Sequence, residues 1–138
     1  MAYLIGIILA LAVGLLATVV GFDRDRAFYP TVMIVIASYY VLFAVSGGGP
    51  DTIAIEAAIM AIFAGLSIAG FKRSLWLVVA ALAGHGLFDW FLAPLIPNPG
   101  VPPWWPQFCL AYDVVAAAYL AYRLIGAAAA PVPSPPSA

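Results

Sequence analysis

Charged side chains are scarce in this chain: five Lys or Arg and six Asp or Glu among 138 residues. That is 8% of the sequence, against roughly 25% in a soluble domain. A chain this short buries only about two-thirds of its surface on folding, so 66% hydrophobic residues cannot be hidden from water. Lipid removes the problem. The single cysteine, Cys109, excludes an internal disulfide and any multi-cysteine zinc knuckle. A net charge of −1 with no basic patch argues against nucleic acid as a partner. One histidine, His85, is few for a transition-metal site, because familiar zinc sites use several Cys or His ligands.

What is abundant is apolar sequence in long runs, with a mean hydropathy of +1.10. Five runs, at about 2–22, 29–45, 52–71, 75–96 and 105–125, each approach the ~20 residues that cross a bilayer. They lack the period-2 alternation of strands, and an open sheet could not satisfy its backbone in lipid. The reading is an all-α membrane protein, a five-helix transmembrane domain over 1–126. The remainder, 127–138, contains Pro131, Pro133, Pro135 and Pro136 and is expected to form a disordered cytoplasmic tail. The first run has no basic leader and no small-x-small cleavage site, so it reads as a helix, not a signal peptide.

Five crossings place Arg24, Arg26, Lys72, Arg73 and Arg123 on one side. The positive-inside rule then puts the N-terminus outside and the C-terminus inside. Trp76 and Tyr29 fall near the inner interface, and Trp90, Trp104 and Trp105 near the outer one, as an aromatic belt. No organelle signal is present, which points to a bacterial cytoplasmic membrane.

Helix one carries Gly6, Ala10 and Gly14, and helix three Ala57, Ala61, Gly65 and Ala69, at i, i+4 spacing. Such stripes let helices approach closely in lipid. They suit packing within the chain, or a homo-oligomer through either stripe. Short loops also suit a subunit of a larger membrane complex.

The chemistry sits in the outer half. Glu56 lies ~6 Å below the outer end of helix three, Asp89 ~7 Å below that of helix four, and Asp113 ~10 Å down helix five, at 1.5 Å per residue. His85 and Asp89 are i, i+4 and project together, as do Cys109 and Asp113. Tyr39 and Tyr40 lie at similar depth and offer hydroxyls. Gly84 and Gly86 flank His85 and allow close approach. Intramembrane ionisable residues are costly and normally have partners. Here no basic side chain shares their half, so a proton, a cation or water must balance them.

Four uses follow for an outward-facing pocket of Glu56, His85, Asp89 and Asp113. It can bind a proton, a cation or a small ligand. His85, Asp89, Asp113 and Glu56 form an N/O ligand set for a divalent metal, although a lone His does not favour one, and no cofactor is otherwise indicated. His85, Asp89 and Asp113 can perform acid–base catalysis on a lipid-soluble molecule, isoprenoid or sterol-like, within aromatic walls of Phe88, Trp90, Phe91, Trp104 and Trp105. The same polar residues can also form a plug that fixes helix register. Pro97, Pro99, Pro102, Pro103 and Pro106 stiffen the fourth loop, and its tryptophans could form a lid beside Asp89 and Asp113.

Overall fold

The computed structural model describes residues 1–129. It is all-helical. Five helices run α1 (Ala2–Val20), α2 (Phe28–Gly47), α3 (Pro50–Lys72), α4 (Trp76–Phe91) and α5 (Trp105–Ala129), with short 3-10 turns at Phe22–Arg24 and Ala93–Leu95. Residues 127–129, expected in the tail, continue α5. The rest of the expected tail lies outside the described residues.

Local chemistry fixes the helix ends. α1 stops at Gly21, whose φ of 90° is the left-handed conformation that glycine adopts without strain. α3 begins with Pro50, where a missing N–H costs nothing, and carries Asp51 in its first turn and Lys72 in its last, both complementing the helix dipole. Arg26 reaches over from the first loop to donate to the Phe71 and Gly70 carbonyls at the C-terminal end of α3. α4 is shorter than the 75–96 reading. Pro94 cannot continue the ladder, and a 3-10 turn takes over after Phe91.

α1, α2, α3 and α5 are each long and apolar enough to cross a membrane. α4 has 16 residues, ~24 Å of helix, a little under the ~30 Å hydrocarbon core. Large apolar side chains cover the outside, among them Leu4, Ile8, Leu16, Val19, Ile62 and Ile68. A surface of this kind suits lipid rather than water.

α5 packs between α1 and α4, α3 packs between α2 and α4, and α2 also touches α4. α1 therefore lies on α5 rather than principally on its sequence neighbour α2. Gly6, Ala10, Gly14 and Ala17 are the buried face of α1. A Cβ on Gly6 would stand 2.6 Å from the Phe108 carbonyl oxygen, and one on Gly14 2.9 Å from the Tyr119 ring. The first small-residue stripe is thus used within the chain. The α3 stripe faces outward, with Ala57, Ala61 and Gly65 exposed and open space at Gly65.

The basic end of the bundle is tied by a polar cluster that spacing could not reveal. Arg123 of α5 pairs with Asp23 at 3.2 Å and donates to Thr18 Oγ1 at 3.1 Å. Thr18 donates to Asp23 at 2.7 Å and lies 2.9 Å from the Tyr119 hydroxyl. The C-terminal end of α1, the first loop and the C-terminal half of α5 therefore meet at one end, as the expected one-sided distribution of basic residues requires.

Candidate functional site

α4 presents His85 and Asp89 on one face, a turn apart. Gly86 lets α5 close against that face: a Cβ there would stand 3.0 Å from Asp113 Cβ and 3.3 Å from the Leu110 backbone. Gly84, expected to serve the same purpose, is exposed with open space around it. The close approach brings Asp113 Oδ2 to 2.8 Å from His85 Nδ1. Asp89 Oδ2 lies 3.4 Å from the same nitrogen. One ring nitrogen therefore faces two carboxylates. All three side chains are sealed, at 2%, 0% and 0% exposure.

Aromatic rings wall the cluster. Phe63 meets the imidazole edge-to-face at 4.7 Å, and Tyr40 lies 6.3 Å away. Several buried polar atoms have no hydrogen-bond partner among the described residues: both carboxylate oxygens of Asp89, Asp113 Oδ1 and the Tyr40 hydroxyl. Unsatisfied polar atoms each cost about 1–3 kcal/mol when buried. Four in one place mark a site organised for something other than packing alone.

The expected residues separate into groups. His85, Asp89 and Asp113 come together, with ligand atoms all within 4.8 Å of one another. Glu56 lies outside that group. It is buried, and its Oε1 accepts from Asn98 Nδ2 at 3.0 Å. Asn98 also donates to the Tyr40 carbonyl at 3.2 Å, and Thr52 donates to the Pro97 carbonyl at 3.0 Å. Glu56 is thus the anchor of the proline-rich loop. Tyr40 belongs to the cluster, whereas Tyr39, one residue earlier, points the other way and packs on Trp105 at 5.2 Å. Removing the anchor has a defined result. Asn98→Ala should leave the buried Glu56 without its partner and cost ~1–3 kcal/mol, read as a lowered melting temperature in detergent, with faster proteolysis in the loop. An unchanged melting curve would show that the loop is held by other contacts.

Because α1 sits on α5 and not principally on α2, a groove opens between the three. Its volume is about 930 Å³, and its lining is almost wholly apolar: Ile5 and Leu9 of α1, Val32, Ile36 and Tyr39 of α2, and Trp105, Phe108 and Tyr112 of α5. Cys109 and Asp113, both buried, lie at its floor. The aromatic walls differ from the expected set. Trp104 and Trp105 line the groove, but Phe88 packs on Phe63, Trp90 on Tyr3, and Phe91 is exposed. Trp104 and Trp105 therefore share the groove wall with Asp113. A smaller hollow of about 430 Å³ lies beneath the proline-rich loop, with Tyr40 and Asn98 in its lining.

The sequence carried one signal for the groove. The Gly6/Ala10/Gly14 stripe announced that α1 packs closely against something; which helix it chooses was the missing fact. No protein-family model, curated protein or solved structure matches this chain.

Proposed function

We propose that this is a small five-span membrane protein, N-terminus outside and C-terminus inside a bacterial cytoplasmic membrane. It takes an apolar, membrane-dissolved molecule into the α1–α2–α5 groove and holds a balancing positive charge, a proton or cation, at His85, Asp89 and Asp113 beside it. The observation that carries this reading is the double placement of Asp113, which lies at the floor of the groove and bonds His85 at 2.8 Å.

The physical logic is one of solvent. A ligand dissolved in lipid reaches the groove sideways, without leaving the hydrocarbon. The groove walls offer dispersion and apolar contact but nothing that fixes an orientation. Asp113 is the polar group that does so, as in most apolar sites with a few placed polar atoms. Asp113 has no exposed surface, so contact with it requires a neighbouring side chain such as Tyr112 to change rotamer. Once reached, the carboxylate can exchange a proton with the ligand while His85 holds the second proton position. The α4 helix and its following 3-10 turn supply the fifth crossing, and the basic residues at one end give the orientation.

Photolabelling in lipid vesicles tests this. A diazirine-bearing isoprenoid alcohol should mark groove residues such as Ile36, Phe108 and Tyr112 well above the outward faces of α3. Ile36→Trp, which fills the groove, should reduce that labelling about tenfold without unfolding the protein. Even labelling around the whole bundle would reject the reading.

A further inference from the structure

The geometry points to a divalent first-row metal ion as the balancing charge, bound by His85 Nδ1 and the carboxylates of Asp89 and Asp113. The inference deepens the proposed reading of this site, but the ion can bind whether or not the groove takes a ligand.

Three independent observations support it. The first is spacing. Ligand atoms at ~2.0–2.1 Å from a metal stand roughly 2.9–3.4 Å from one another in octahedral or tetrahedral arrangements. His85 Nδ1 stands 2.8 Å from Asp113 Oδ2 and 3.4 Å from Asp89 Oδ2, and the three ligand atoms lie within 4.8 Å of one another. A small inward movement of one carboxylate completes the set.

The second is the state of Asp89. It has no exposed surface, its two oxygens have no hydrogen-bond partner, and it faces the histidine. A carboxylate in that position has lost water and gained only imperfect approaches from His85, the Tyr40 hydroxyl and the Cys109 thiol, which is expensive. A cation repays the loss directly. Asp113 Oδ1 and the Tyr40 hydroxyl, equally unpartnered, can take further bonds around the ion, directly or through water.

The third is charge balance. The basic side chains lie toward the other end of the helices, where Arg123 is already paired with Asp23 and Arg26 caps α3. Two carboxylates, a neutral imidazole and a divalent ion sum to zero, the state lipid favours. One nitrogen and two carboxylate ligands suit zinc, iron or manganese. Glu56 is not in this set, because Asn98 holds it.

The full chain, purified in detergent and stripped with a chelator, should take up one equivalent of Zn²⁺ or Co²⁺ at neutral pH. Bound Co²⁺ should show the ligand-field bands of a site with nitrogen and oxygen donors. Asp89→Asn keeps the side-chain shape and should weaken uptake at least tenfold, whereas Glu56→Gln should leave it unchanged. Failure to take up stoichiometric metal overturns the inference. Uptake indifferent to Asp89→Asn places the ion elsewhere and overturns it equally. The Co²⁺ spectrum of the unmodified chain decides the matter even if the Asn variant does not fold. Photolabelling of the metal-free protein separates the two readings: labelling without metal uptake removes only the metal, and metal uptake without groove labelling removes only the groove ligand.

Discussion

Asp113→Ala should destabilise the bundle by about 3–5 kcal/mol, the cost of removing one partner from a buried ion pair or hydrogen-bonded set. It deletes the hydrogen bond to His85 at 2.8 Å and leaves the imidazole with only the 3.4 Å approach of Asp89. Alanine keeps the Cβ that packs against Gly86, so the loss comes from the carboxylate and not from the α4–α5 contact. The joint replacement His85→Phe, Asp89→Leu and Asp113→Leu should behave differently. Exchanging a whole buried charged set for apolar residues of similar volume is often neutral or stabilising, and we expect the triple variant within about 1 kcal/mol of the parent. Reversible unfolding in mixed micelles measures both. The contrast separates two roles for the cluster. A plug that exists to fix helix register must lose stability or uniqueness when all three residues become apolar. A site retained for binding loses only its ligand, so the triple variant should fold normally and take up no metal.

Gly6→Leu should cost ~3 kcal/mol or more, at the upper end of the usual overpacking penalty, while Gly65→Leu should stay within ~0.5 kcal/mol of the parent. At Gly6 even a methyl group would meet the Phe108 carbonyl at 2.6 Å and Ala111 Cβ at 3.0 Å. Those are backbone and short side-chain atoms, which cannot swing aside, so α1 must lift away from α5. Because α1 forms one wall of the groove, the same variant should lose groove photolabelling. Gly65 faces open space, and leucine there extends outward without meeting another helix of the chain. If the outward α3 stripe joins two copies of the chain, Gly65→Leu breaks that dimer without unfolding the protomer, which chemical crosslinking in vesicles reads directly. Equal destabilisation by the two substitutions would contradict the arrangement of α1 on α5.

These two glycines show where reading along the chain stops. Both sit in small-xxx-small stripes with the same spacing, and nothing local distinguishes them. Position along the chain was legible: the five apolar runs correspond to five helices, and His85 and Asp89 share a face because a helix repeats every 3.6 residues. Partnership was not. Asp113 and Glu56 looked alike as acids at similar depth, yet one bonds His85 and the other holds a loop through Asn98. The apolar run through Leu92 and Leu95 reads as a longer α4, but Pro94 ends the helical ladder there.

The amino-acid sequence alone determined the apolar composition that suits lipid, the helical class, the clustering of basic residues at one end and the presence of unbalanced polar groups at the other. Each of these is a property of composition or of a single helix. The tertiary structure decided which helix α1 joins, which glycines are used, which acids meet the histidine, and that a groove borders the buried Asp113. The reason lies in the solvent itself. A helix in water carries an apolar stripe that names its buried face. A helix in lipid is apolar all round, so its rotation and its partner are set by close packing and a few polar contacts, and those exist only between helices.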